Sequence, residues 1–410
     1  AVRPGALPPM EAPHGAAPAR HLRRLTWAGI ALGIALSTVV FLMFPREGLL
    51  GPGQQANRQS GFRPDIVLWG SGRVSLSSRV AMTVTLLDPR GKPGPHLLPL
   101  RLRGAVLDRY LPSESQWRGD GAQRGARLYQ TGPGMGSQWF AAEARAERSN
   151  VWTQVVEMRS LASEHVFTAW LPLSIESEEP RTFQLSSRTA EMVEAASAVA
   201  GRPRSYRVRM VAFPSASLAH AVAGGSPPAE PGFPVPEVEG IARRILDTVQ
   251  HPDLPTDAEV QADPQQRWIR NRQIAAVLQG YLSGPRFRYT TDLSGFRRVG
   301  DVDPIVLFLE RYRFGHCEYF ASAMVALCRS LGVEARLVTG YMATEYDDVS
   351  DRYVVRESGA HAWAEVRVGE WQWGTYDPSP TAEVLAIQQA NRTWMDSFRW
   401  ILDPVEFAWN

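Results

Sequence analysis

Apolar and polar positions change rhythm four times along the 410-residue chain, and each rhythm predicts a different element. From Leu25 to Phe44 the run LTWAGIALGIALSTVVFLMF carries no charge over 20 residues. A helix of that length rises about 30 Å, the thickness of a bilayer's hydrocarbon core, so a transmembrane helix is predicted over 25–44. A cleavable signal peptide would have a shorter apolar region ending in small residues, whereas this one ends FLMFPR. A buried core helix is the plainer alternative.

Next, Val74, Leu76, Val80, Met82, Val84 and Leu86 share one parity while Ser75, Ser77, Arg79, Thr83 and Thr85 take the other. That is the period of a half-buried strand. Further β-prone runs at 97–102, 138–142, 151–158, 165–171 and 206–213 lie between Gly, Pro, Ser and charged turns. Together they predict a mainly-β domain over 62–214, built as a sandwich or barrel. Residues 215–236, dense in Ala, Gly and Pro, read as a linker.

Beyond the linker the period lengthens. Val238, Ile241, Ile245, Leu246 and Val249, then Trp268, Ile269, Ile274, Val277, Leu278 and Tyr281, recur at helical spacing and open a second folded domain over 237–380. Phe287 to Thr290 reads as a short strand. Asp303-Pro304 reads as an N-cap followed by Pro at the first helical position, opening a helix through Tyr312 that Gly315 is expected to stop. A helix starting at Cys317 carries Phe320, Ala323, Met324, Leu327 and Leu331 on its apolar face and ends at Gly332. Strands follow at 335–342, 352–356, 361–368 and 372–376. The predicted fold class is α+β, a helix packed on an antiparallel sheet, preceded by one transmembrane helix and a mainly-β domain. Residues 1–24 read as a Pro/Ala/Arg-rich loop or tail and 381–410 as a helical aromatic segment.

Composition narrows the partners. A net charge of +2 and a pI of about 8.6, with no basic stripe, do not fit a phosphate backbone, so nucleic acid is not an expected partner. Arg3, Arg20, Arg23 and Arg24 precede the apolar run against one Glu11, which places the N-terminus in the cytoplasm and everything after Arg46 outside, on the periplasmic side of a cell membrane. The chain begins with Ala, which fits a piece of a longer protein. Its two cysteines, Cys317 and Cys328, would sit roughly 16 Å apart along one helix, too far for a disulfide. The thiol of Cys317 is therefore available for chemistry.

A thiolate is stabilised at a helix N-terminus by unpaired N–H groups and the helix dipole, and the predicted helix puts Cys317 there. A histidine can take the thiol's proton and a carboxylate can hold that histidine's tautomer. His361 opens one predicted strand and Asp377 ends the next. If these strands pair through a turn near Gly369-Glu370, the two residues stand eight and seven positions from it and are level across the ladder, within reach of a hydrogen bond.

The segments FRYT (287–290), DPIVLFLERYRFGHCEYFASAMVALCRSLGVEARLVTGYM (303–342), YVVRESGAHAWAEV (353–366) and WGTYDPSP (373–380) resemble the transglutaminase-like superfamily, a papain-related group, and most closely its bacterial membrane-anchored TgpA-type branch. Upstream, FLMFPRE resembles the last of several N-terminal membrane helices in that branch, and RLRGAVLDRY its extracytoplasmic β-region. The resemblance implies that Cys317 is an acyl-accepting nucleophile, His361 its general base and acid, and Asp377 the orienting carboxylate. It implies transfer of an acyl group from a glutamine carboxamide of a protein or peptide, through a thioester, to an amine such as lysine. It also implies that the chain is a fragment of a longer membrane protein. The backbone N–H of Cys317 is the expected first donor to the oxyanion. Two alternatives stay open: a cysteine peptidase or amidase using the same triad, and a non-catalytic extracytoplasmic interaction module.

Plainer roles compete at several positions. Cys328 falls on the apolar side of its helix and reads as structural. His316 adjoins Cys317, but adjacent helical side chains diverge, so it reads as a cap or cleft-lining residue rather than the base. Glu318 and Glu365 are candidates for substrate contact or pKa tuning, and Trp363, Trp371 and Trp373 for cleft walls, against the ordinary alternatives of surface and core. The acidic loop 345–351 raises calcium but lacks the Gly and terminal Glu of an EF-hand, and reads better as a solvated hairpin tip. No metal or cofactor motif occurs, and no cofactor is expected.

Overall fold

The computed structural model describes residues 27–30, 32–34, 61–69, 74–94, 97–119, 126–147, 150–159, 163–195, 204–223, 232–249 and 254–390. The chain divides into two compact units, 1–55 and 56–410. In the first, residues 27–30 and 32–34 are helical, and the side chains of Trp27, Ile30, Leu32 and Ile34 are exposed. The remainder of the expected span 25–44 lies outside the described residues, as do the tail 1–24 and the segment 391–410. Among the described residues no helix is long and apolar enough to cross a membrane.

The second unit is built on strands β1 (Val80–Leu87), β2 (Leu100–Leu107), β3 (Val151–Met158), β4 (Leu171–Glu176), β5 (Arg204–Val211), β6 (Ala335–Ala343), β7 (Arg352–Arg356), β8 (Ala360–Arg367) and β9 (Trp373–Tyr376). Helices α1 (Glu237–Thr248), α2 (Pro264–Leu282), α3 (Cys317–Ser330) and α4 (Thr381–Ala390) complete the frame. One sheet runs Glu345–Asp347, β7, β1, β3, β5, β4, Gln138–Trp139, and a second runs β9, β8, β6, β2. Strand β2 belongs by sequence to the β-rich stretch and β7 to the later one, so the two stretches exchange strands across the linker. The cause is burial. Every residue of β6 is buried, and a strand with both edges inside must find backbone partners on both. It takes β8 on one side and β2 on the other.

The exchange is also permitted by Gly340. A Cβ there would lie 2.0 Å from the Leu102 carbonyl oxygen, so only glycine lets β2 approach this closely. Helix α3 runs through the largest core with Phe320, Ala323, Met324 and Leu327 fully buried, and alternate β8 residues Ala362, Ala364 and Val366 share that core. Each large buried apolar side chain contributes about 1.5–3 kcal/mol by leaving water.

Local structure departs from expectation at three places. Residues 74–79 are extended, but the strand itself begins at Val80. The stretch 215–236 contains a helix, Ala216–Ala223, because Leu218 and Val222 form an i,i+4 pair that buries against Leu173 and Val211. The helix opened by Pro304, with Asp303 accepting from the Ile305 N–H, widens to a π-helical turn over Leu307–Tyr312. Arg313, in the left-handed region at φ 53°, ends it rather than Gly315.

Candidate active site

Helix α3 starts where the sequence places it. His316 is its N-cap, and its ring Nδ1 accepts the Glu318 N–H at 3.4 Å. Gly315 precedes the cap because Tyr319 packs 3.0 Å from where its Cβ would be. Cys317 is therefore the first helical residue, where N–H groups lack intrahelical partners and the helix end is positive.

Burial alone would raise the Cys317 thiol. Hydrogen bonds and charge from His316 and His361 outweigh that effect and bring it down from 9.0 to about 6. His361 shows the converse. Burial disfavours its imidazolium, but the Asp377 carboxylate and the thiolate raise it from 6.5 to about 10. His361 Nε2 lies 2.8 Å from Asp377 Oδ2. Asp377 is held far below the usual carboxylate range: burial opposes this, and His361 and Arg101 override it. The arrangement favours a thiolate–imidazolium pair near neutral pH.

Cys328, fully buried without such partners, is pushed up to about 12 by burial. The structure thus brings Cys317, His361 and Asp377 together and sets Cys328 apart. The hairpin register is not the expected one. Ala364 pairs with Tyr376 and Arg367 with Trp373, so Asp377 comes level with Trp363 and reaches His361 on the diagonal. The connection 368–372, closed by Val368 N–H to the Gln372 carbonyl, is longer on one side than a symmetric turn at Gly369-Glu370 would make it.

The thiol opens into a partly solvent-open cleft. Tyr289, Thr291, His316 and Glu318 line one part, Ser358 and Ala360 another, and Val384 and Ile387 of α4 a third. Val74 and Leu76 close it from the extended segment 74–79, which is pinned at both ends: Val74 N–H to Thr291 O at 2.9 Å, and Ser358 and Glu357 N–H to Ser77 and Arg79 O at 2.9 Å each. Tyr289 lines the cleft with Cys317, and burial, then the thiol, push its phenol's ionisation well up. Its own N–H donates to Glu383 of α4 at 2.7 Å.

The other candidates lie elsewhere. Glu365 is buried between Arg103 (3.0 Å) and Arg336 (2.7 Å), outside the cleft. Trp363 packs with Val106 and Val338, Trp373 lies under the Arg336 guanidinium at 3.8 Å, and Trp371 meets His220. None of the three lines the cleft. The loop 345–351 joins Glu345–Asp347 to β7 as a hairpin tip.

Sequence reasoning missed Arg101, whose Nη2 lies 2.8 Å from the same Asp377 oxygen, and the contact of Tyr289 with the thiol. Signals existed for both: Arg101 and Arg103 alternate with Leu100 and Leu102, and Tyr289 stands in FRYT.

The family model described as the transglutaminase-like superfamily matches residues 283–378, and the one described as the TgpA N-terminal domain matches 6–212. Uncharacterized protein YebA of Bacillus subtilis is 36% identical over 107 residues, covering 25% of this chain and 14% of that protein. A protein-glutamine gamma-glutamyltransferase of Pseudomonas aeruginosa is 34% identical over 116 residues, covering 28% of this chain and 17% of that protein. The matches thus span less than a fifth of these relatives' lengths. The crystal structure of the periplasmic domain of TgpA from Pseudomonas aeruginosa aligns at 17% identity and a TM-score of 0.47, covering 79% of this chain and 99% of that one.

Proposed function

Because the chain belongs to the transglutaminase-like superfamily, in its TgpA branch, we propose that Cys317, His361 and Asp377 are a catalytic triad transferring an acyl group from a glutamine carboxamide to an amine. The observation that carries this reading is the Cys317 thiol at a helix N-terminus, its ionisation favoured by His361, whose Nε2 lies 2.8 Å from Asp377 Oδ2. The similar protein-glutamine gamma-glutamyltransferase supports the choice of reaction.

In the first half-reaction the Cys317 thiolate attacks the carboxamide carbon, His361 gives its proton to the departing nitrogen, and ammonia leaves behind a thioester. In the second, an amine adds to the thioester carbon, loses a proton to His361, and expels the thiolate. Asp377 stays ionised throughout and holds the imidazole with its other nitrogen toward the thiol. The Cys317 N–H, at the first turn of α3, is a donor for the oxyanion.

We place this chemistry outside the cytoplasm, anchored through 25–44. The charge-free run, the arginines that precede it and the exposed apolar side chains at 27–34 support that placement.

The test is incubation of the purified chain with a glutamine-containing peptide and a fluorescent primary amine, with Cys317→Ala as control. Amine incorporation that vanishes in the variant supports the transferase. Ammonia release without incorporation moves the reading to a hydrolase, and no turnover with either acceptor overturns it.

A further inference from the structure

Asp377 answers to two cations at once. Its Oδ2 lies 2.8 Å from His361 Nε2 and 2.8 Å from Arg101 Nη2, while its Oδ1 accepts the Ser379 N–H at 3.1 Å. Arg101 comes from β2, inside the stretch matched by the N-terminal-domain model and outside the 283–378 core match.

The ladder fixes this approach. Arg101 pairs with Met342 of β6, Arg103 with Gly340, and Gly340 on its other edge with His361. Paired residues of antiparallel strands point to one face, so Arg101 and His361 share a face on either side of β6. The bare Gly340 lies between them.

Resting on the triad reading, we propose that Arg101 is a positioning residue for His361: it holds Asp377 from the second side, aims the carboxylate at the imidazole, and takes up part of its negative charge. A carboxylate facing the imidazole alone would hold the imidazolium too firmly to release its proton to a leaving nitrogen. A second cation on the same oxygen weakens that hold without protonating the carboxylate.

The other groups around His361 leave this role to Arg101. Cys317 of α3, with His316 and Tyr289 beside the thiol, faces the imidazole's other side. Glu365, four residues along β8, has both oxygens engaged by Arg103 and Arg336. The catalytic centre is thus completed from the N-terminal half of the chain.

The rate of Cys317 alkylation by iodoacetamide, followed against pH on the whole chain by peptide mass spectrometry, tests this without any substrate. Its upper limb reports loss of the His361 proton. In Arg101→Gln that limb moves up by about one pH unit, and in the transfer assay kcat falls about tenfold with KM unchanged, because proton donation slows. Arg101→Lys returns the limb to its wild-type position. An Arg101→Gln limb that coincides with the wild type overturns the proposal. If Arg101→Gln does not fold, Arg101→Met takes its place, and failure of both to fold makes Arg101 a brace of the sheet, which also overturns it. A wild-type profile of an ordinary thiol would instead remove the triad reading itself.

Discussion

His361 and Asp377 meet two residues out of register: Ala364 pairs with Tyr376, which sets Asp377 level with Trp363, yet Nε2 and Oδ2 are 2.8 Å apart. The diagonal spacing of an antiparallel pair is about 7–8 Å between residues, which an imidazole and a carboxylate together span. Asp377 begins just past β9, where the chain is free to turn its side chain back. Asp377→Asn keeps the shape and removes the charge. The expected outcome is a thiol that titrates well above 6, because His361 no longer holds its proton, and a kcat lower by about 10²–10⁴. Alkylation against pH and steady-state kinetics check the two parts.

On the proposed triad reading, the ion pair sets the pH window of activity. The lower limb belongs to the Cys317 thiol at about 6 and the upper to His361 at about 10. Activity rises with pH through the first value, as the thiolate forms, and falls through the second, as the imidazolium is lost. A bell-shaped kcat/KM profile with limbs near those values is the expected measurement.

Cys317 and Cys328 lie on one helix and differ in every respect that governs reactivity. At pH 7 and equal exposure to iodoacetamide, label is expected on the Cys317 peptide and not on the Cys328 peptide, since burial pushes the latter thiol up to about 12. Equal labelling would contradict the geometry.

His316→Ala removes both the cap of α3 and one of the two imidazoles on the thiol. A stability loss of about 1 kcal/mol is expected from the cap, together with a rise in the Cys317 titration, because one of the two imidazoles that favour the thiolate is gone. Thermal denaturation and alkylation kinetics separate the two effects.

Glu365→Gln leaves Arg103 and Arg336 buried without their shared counter-charge. A loss of about 3–5 kcal/mol is expected in chemical denaturation. In the native chain burial opposes the ionised Glu365, but the two arginines hold it below its ordinary 4.5. Its contribution is therefore present above that value and lost as pH falls through the folded one. The variant should show a shallower acid limb in stability.

Much of the site was legible in sequence. Asp303-Pro304, His316-Cys317 and Gly332 are local signals, and the elements they bound lie close to where those signals put them. The strands expected at 151–158 and 352–356 are found at Val151–Met158 and Arg352–Arg356. What the chain did not disclose was non-local. Nothing near Leu100 says that its strand pairs with Ala343, and nothing near Arg352 says that it joins β1. Ladder bonds use backbone groups common to all residues, so partner choice leaves no local mark except where sterics demand one, as at Gly340. The alternation of Arg101 with Leu100 and Leu102 marks a strand but not that strand's partner, so its place beside Asp377 was not legible.

The exchange of β2 and β7 has a consequence for biosynthesis. When β1 and β2 leave the ribosome, their partners β7 and β6 are more than 200 residues from being made. Until then β1 has only β3 to pair with and β2, at the end of its sheet, has no strand partner, a state that invites wrong pairing and slows folding. By the time β6 closes against β2, the helix that begins at Cys317 has already been synthesised, and His361 and Asp377 follow within a few tens of residues. The Cys317 thiol therefore meets His361 and Asp377 only after residue 377 has been made, and a product truncated before it carries a cysteine without those neighbours.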